Sequence, residues 1–200
     1  TLLVDSGTTA LEFVRLLDTT YQVVKEVDPE VQVISGGLVS NDIGFLEKMY
    51  DAADELGLAE MPFDQLGAHP FTGGEAPERV DPGLVFERDP FGTVDQNYTG
   101  FKALHDVLAD HGDQDLPVYI TQFGYSTRKL KGFAPVSDEV RATYLPEAFD
   151  LAACTGFVTA LSWYALHPTP WDPASWTLLD REGRPNQTYD ALKTWSASAP

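Results

Sequence analysis

Four short segments hold the residue types from which a site for a neutral, hydroxyl-rich ligand can be built. They are Gly36-Gly37-Leu38, His69-Pro70-Phe71, Thr121-Gln122-Phe123-Gly124-Tyr125 and Trp163-Tyr164. Aromatic faces stack on apolar C–H surfaces, while imidazole and amide groups hydrogen-bond hydroxyls. No arginine cluster accompanies these segments, so an anionic ligand fits less well. Metal chemistry needs clustered Cys, His or carboxylate ligands. The histidines His69, His105, His111 and His167 show no such spacing. No G-x-G-x-x-G follows a strand pattern and no P-loop is present, so nucleotide binding has no support. Cys154, the single cysteine, has no partner for an internal disulfide. It lies beside Ala152, Ala153 and Gly156, which predicts a buried structural thiol.

Elements must bring these segments together, and the patterning supplies them. Leu11, Val14, Leu17, Tyr21 and Val24 recur at helical spacing up to Asp28-Pro29. Residues 31–35 read as a short buried strand before Gly36-Gly37. Asn41 or Asp42 can cap a second helix, with Phe45, Leu46, Met49, Ala53 and Leu56 on its apolar face and Gly57 at its end. Residues 63–69 form the next strand, and a Gly/Pro-rich loop runs from about Pro70 to Asn97. Tyr98, Phe101, Leu104 and Leu108 mark a third helix, 117–121 a third strand, Ser137 to about Ala153 a fourth helix and 157–163 a fourth strand. Tyr189-Asp190-Ala191-Leu192 falls in a final helix. Strands joined by helical crossovers are parallel, which predicts an α/β fold with its site at the carboxyl ends of the strands. Open doubly wound sheets and closed barrels both satisfy this pattern. Four strands are half the number a (β/α)8 barrel needs, and the chain opens on a helix, as a sequence does that starts in the middle of a fold.

The segments also carry a resemblance. Residues 116–127, Leu-Pro-Val-Tyr-Ile-Thr-Gln-Phe-Gly-Tyr-Ser-Thr, resemble the seventh-strand motif of clan A glycoside hydrolases, in which a glutamate replaces Gln122 as nucleophile. Val33 to Leu38 resembles the fifth strand, and Asp64 to Phe71, ending in His-Pro-Phe, the sixth. Ala160-Leu161-Ser162-Trp163-Tyr164 is similar to the eighth, and Trp176 to Pro185 with Tyr189 to Leu192 resembles the segment before the last helix. The cellulase-like and family 39-like bacterial members are the nearest in pattern. The resemblance implies that residues 1–200 form the C-terminal half of a TIM-barrel domain, strands five to eight. It implies a retaining hydrolase of O-glycosidic bonds in an oligo- or polysaccharide, a reaction that needs no metal or cofactor, with His69, Phe71, Tyr125, Trp163 and Tyr164 around the sugar. Tyr125, Tyr164, Trp171 and Trp176 can equally pack a loop.

Two departures bear on activity. A retaining glycosidase needs two carboxyl groups about 5–5.5 Å apart. Position 122 holds an amide, which cannot form the covalent glycosyl intermediate. The family's acid/base glutamate lies in an Asn-Glu-Pro motif that this chain lacks. Inactivity as written is therefore expected. Gln122 fits an introduced Glu→Gln change, a natural loss in a sugar-binding pseudoenzyme, or an ordinary polar strand end. Glu75, Asp42 and Asp172 read as solvated loop charges, and the glycosylation sequons at Asn97 and Asn186 as chance matches. The alternative is a non-catalytic carbohydrate-binding or structural half-barrel. In either case the expected partners are carbohydrate and a covering half, either the N-terminal half of the barrel or a second copy.

Composition limits the setting. The chain has 31 acidic against 13 basic residues and a net charge of -18, which repels nucleic acid. No stretch is apolar for long enough to span a membrane. The opening Thr1-Leu2-Leu3-Val4-Asp5 does not read as a signal peptide. The scattered acidic charge fits an extracellular or salt-tolerant protein.

Overall fold

The computed structural model describes residues 9–88, 92–129, 134–169 and 175–198. Its helices and strands alternate except where a hairpin is inserted: α1 (Ala10–Val27), β1 (Leu38–Val39), α2 (Ile43–Leu56), β2 (Leu66–His69), β3 (Val85–Arg88), β4 (Gly92–Asp95), α3 (Phe101–Asp110), β5 (Val118–Phe123), α4 (Asp138–Ala153), β6 (Val158–Trp163) and α5 (Gln187–Ser198), with β3 and β4 forming that hairpin after β2. The main sheet has the order β1-β2-β5-β6, and every pairing in it is parallel. Neighbours in the sheet are thus successive strands joined through helices, the arrangement of consecutive barrel strands.

Local signals start and stop the helices. Thr9 and Glu12 form a reciprocal capping box on α1. Asp42 accepts the Phe45 N–H at 2.9 Å, and Ser137 that of Val140 at 3.2 Å. Gly57 ends α2 with a left-handed φ of 70°.

The core lies on one face of the sheet. Leu66, Ala68, Val118, Ile120 and Phe123 are all wholly buried there, against Leu46 and Met49 of α2, Leu104 and Leu108 of α3 and Ala148 and Ala152 of α4. The opposite face differs. Gly67 pairs with Tyr119 and Tyr119 with Ala160, placing these residues on that side. The Tyr119 hydroxyl lies 2.9 Å from Ser162 Oγ, and Thr159 Oγ1 donates to Gln65 Oε1 at 2.6 Å. This face is polar, and residues along β6 stay half-exposed or exposed.

Three sequence expectations need correction. Residues 31–35 do not form a ladder: Ile34 makes an isolated parallel bridge to Gln65, and the strand itself is Leu38–Val39. The Gly36-Gly37 pair interrupts the segment before it pairs with β2. The loop from Pro70 to Asn97 contains an antiparallel hairpin, β3–β4, whose Val94 is wholly buried and bridges to Asp42 at the head of α2. Asn41, at a φ of 45°, fastens that hairpin by donating from Nδ2 to the carbonyls of Asp95 at 2.8 Å and Asn97 at 3.1 Å. Finally, Cys154 is exposed. It caps α4 one residue past the last turn, whereas the core face of that helix carries Leu145, Ala148 and Ala152.

Candidate functional site

Because the four strands are parallel, their carboxyl ends fall at one end of the sheet, bringing His69, Gln122 and Trp163 to the same edge. Strand geometry decides which way each side chain faces. In β5, Val118, Ile120 and Phe123 are buried while Tyr119, Thr121 and Gln122 are half-exposed. Strict alternation would put residue 122 on the face of 118 and 120. The pairing instead shifts between Ile120 and Phe123: these two oppose Leu161 and Trp163, so two residues of β5 stand against Ser162. This β-bulge inserts one residue, turns Gln122 out of the core and returns Phe123 to it. The side chain types of residues 120–123 do not announce such a shift.

Around the bulge sits an aromatic network centred on Phe71. Its ring lies 6.4 Å from His69, 6.4 Å from Phe123, 6.4 Å from Tyr164 and 5.7 Å from Trp176. Trp163 packs 5.8 Å from Phe123 and 6.3 Å from Tyr125. All five residues the sequence assigned to the sugar thus lie in one connected cluster, with Phe123 and Trp176 added. The close approach of the β5 and β6 ends depends on Gly124, where a Cβ would come within 2.4 Å of the Tyr164 carbonyl oxygen. The Tyr164 N–H donates to the Phe123 carbonyl at 2.7 Å, and the Tyr164–Ala165 peptide is cis.

The members are not equally placed. Tyr125 is wholly buried, and its hydroxyl donates to the Glu75 carbonyl at 2.9 Å. It fastens the segment after β2 and offers no exposed surface, the loop-packing role the sequence left open. Phe71, Gln122, Trp163 and Tyr164 are each half-exposed. His69 is 4% exposed, and burial pushes its imidazole down to about 4, so it is neutral at pH 7. A neutral imidazole carries one donor and one acceptor, as hydroxyl recognition requires. Thr121 Oγ1 and Trp163 Nε1, adjoining the bulge, are buried polar atoms with no hydrogen-bond partner among the described residues.

The loop carboxylates have structural work. Asp42 caps α2, and Glu75 is ion-paired with Arg79. Asp172 and Trp171 lie outside the described residues. Asn97 is buried, with its Nδ2 donating to the Asp81 carbonyl and the Asp95 carboxylate. Asn186 Nδ2 donates to the Thr177 carbonyl. Both sequons are thus engaged inside the fold. Among the described residues no three His, Cys, Asp or Glu side chains are grouped to hold a metal ion, and no helix is long and apolar enough to cross a membrane.

Sequence reasoning missed Arg141. It is 1% exposed and donates to Thr188 Oγ1 at 2.9 Å, the Ser175 carbonyl at 2.8 Å and Asp138 Oδ1 at 2.8 Å. It ties α4 to the segment that presents Trp176 and to the start of α5. It also missed Glu147 of α4, whose carboxyl is raised first by burial and then by the neighbouring Glu78.

Solved structures share this fold. The fold matches that of a family 39 glycoside hydrolase from Bacteroides cellulosilyticus WH2, with a TM-score of 0.68 at 20% identity, over 92% of this chain and 37% of that one. A GH39 enzyme from Xanthomonas axonopodis pv. citri matches with a TM-score of 0.62 at 18% identity, over 93% and 36%. Xylanase 10B from Thermotoga petrophila RKU-1, solved with xylobiose, matches with a TM-score of 0.56 at 15% identity, over 92% and 52%. The chain thus spans between about a third and a half of these structures. The likeness is one of fold, and the share of those chains that is covered fits half of a TIM barrel. No protein-family model and no curated protein matches the sequence.

Proposed function

We propose that residues 1–200 supply the nucleophile-bearing half of a (β/α)8 carbohydrate site, and that this site binds sugar without cleaving it because residue 122 is an amide. The bulge in β5 carries this reading: it turns Gln122 out of the core at the strand end shared with neutral His69 and half-exposed Trp163. With glutamate at 122, a carboxylate oxygen would attack the anomeric carbon and the glycosidic oxygen would leave with a proton from the acid/base group. Glutamine keeps the shape and hydrogen-bonding capacity but has no negative charge with which to form the ester. His69, Phe71, Trp163 and Tyr164 line the sugar, with Tyr125 fastening the loop behind them. The acidic surface suits an extracellular polysaccharide-active protein.

The acid/base carboxylate would come from the half that covers the open edges. That surface has the right character. Leu16, Val23 and Val27 are 52%, 57% and 82% exposed on one stripe of α1, and Val39 of edge strand β1 is 48% exposed. A further helix and strand of the same barrel would bury both. A second copy of the chain is the rival occupant, and sedimentation of the full protein separates the two.

The binding claim is tested by calorimetric titration with xylobiose and cellobiose. Saturable binding that drops at least tenfold in Trp163→Ala supports the site. Binding unchanged by Trp163→Ala removes that residue from it.

A further inference from the structure

We propose that Gly37 is a positioning residue whose bare α-carbon forms the seat on which the His69 imidazole lies flat, fixing where the ring nitrogens stand at the strand end. The inference deepens the carbohydrate reading and rests on it for the role of His69.

The geometry is specific. A Cβ built on Gly37 would lie 2.1 Å from His69 Nε2, 2.4 Å from Cδ2 and 2.6 Å from Cε1. A carbon placed in the ring plane beyond Nε2 would be about 3 Å from both neighbouring ring carbons, by the ring's covalent geometry and the ordinary contact range of carbon atoms. Near-equal short distances to all three atoms put it over the ring face instead. Gly37 is therefore pressed against the flat side of the imidazole, and any side chain there would occupy the space of the ring.

The surroundings hold both parties in place. Val39 pairs with His69, and the Ser40 N–H donates to the His69 carbonyl at 3.1 Å. Gly67 brings the strands together from the other side: a Cβ on it would meet the Ser35 carbonyl oxygen at 2.7 Å and Gly37 Cα at 3.1 Å. Phe71 stands edge-on to the imidazole, with 72° between the planes. The ring is thus confined by Gly37 and Phe71. Burial in this place is the main cause that pushes its imidazole down to about 4.

Gly37 does not adopt the left-handed backbone conformation, so alanine there is free of backbone strain. The atoms it would strike are the far end of a side chain that can rotate. Gly37→Ala should therefore leave the fold intact and swing the imidazole off its seat. A structural role for Gly37 that did not involve the imidazole would leave the titration of His69 unmoved, so that titration is the decisive readout.

The experiment is an NMR pH titration of the His69 ring in the full protein, assigned by His69→Gln, for the parent and Gly37→Ala, followed by xylobiose titration. The expected result is a His69 midpoint near 4 in the parent that rises by one pH unit or more in Gly37→Ala. Xylobiose affinity should fall as far as in His69→Ala, with no further loss in the Gly37→Ala/His69→Ala double variant. An unchanged His69 midpoint in Gly37→Ala overturns the proposal. A shifted midpoint in a protein that binds no xylobiose in any form upholds the seat and rejects the carbohydrate reading. If Gly37→Ala does not fold, the double variant decides. Recovery of folding shows that the clash is with the imidazole, and failure of both overturns the proposal.

Discussion

Replacing Arg141 with methionine tests how the site is anchored. The guanidinium is 1% exposed and uses all three nitrogens. Its three bonds differ in worth. Asp138 is 54% exposed, so that ion pair contributes about 0–1 kcal/mol. The Ser175 carbonyl also accepts the Thr127 N–H at 2.9 Å, so it keeps a partner when Arg141 is removed, and its loss is about 1 kcal/mol. Thr188 is wholly buried, and its hydroxyl would be left without its donor at a cost of about 1–3 kcal/mol. Methionine fills most of the volume, so the sum is about 2–5 kcal/mol, roughly 4–20 °C in Tm for a domain of this size. Lysine keeps the charge but lacks the planar fork, so Arg141→Lys should fall between parent and methionine. Urea unfolding followed by circular dichroism and tryptophan fluorescence measures this. A methionine variant within about 0.5 kcal/mol of the parent would refute the reasoning, because surface-like substitutions fall in that range.

Two other predictions follow from the same coordinates. Burial alone would raise the Asp64 carboxyl, but the Val33 N–H at 2.6 Å, Lys25 at 2.9 Å and the Tyr21 hydroxyl at 3.2 Å hold it below its ordinary 3.8. Its contribution is therefore present above about pH 4 and lost as pH falls through the lower folded-state value. Asp64→Asn should cost about 1–2 kcal/mol at pH 7, and the gap to the parent should shrink on acidification; a gap that widens in acid contradicts the assignment. Cys154, being exposed, should react with a disulfide reagent such as dithionitrobenzoate in the native protein. Reaction only after denaturation would restore the buried thiol.

Much of the architecture is legible in the chain because burial on one sheet face leaves a plain pattern. Leu66 and Ala68, Val118 and Ile120 alternate with residues of the other face, and Phe45, Leu46, Met49 and Ala53 repeat at helical spacing. The caps Asp42, Ser137 and Gly57 act where their chemistry says they should. What escapes is set by pairing and not by local preference. The bulge at Thr121–Gln122 exists because β6 offers one residue against two. The β3–β4 hairpin hides in a stretch that reads as a Gly/Pro-rich loop, although the β-formers Val85-Phe86 and Thr93-Val94 on either side of the turn residues Asp89, Pro90 and Gly92 were signals for it. Arg141 looks like any solvated helix charge until α5 and the segment holding Ser175 close over it. The aromatic cluster was visible as types at strand ends, but the enclosure of Tyr125 depends on Glu75, fifty residues away.

The most direct measurement is made on Gln122→Glu with a 2,4-dinitrophenyl β-glycoside of xylose or glucose. Dinitrophenolate departs without a proton, so glycosylation of the nucleophile does not depend on the acid/base group. In that reaction the carboxylate oxygen bonds to the anomeric carbon as the bond from that carbon to the phenolic oxygen breaks, and the electron pair leaves with dinitrophenolate. The account predicts a burst of dinitrophenolate and a glycosyl ester mapped by mass spectrometry to residue 122, both absent with glutamine there. A folded Gln122→Glu protein that gives neither burst nor adduct, with both sugars, would contradict the assignment of residue 122 as the nucleophile position.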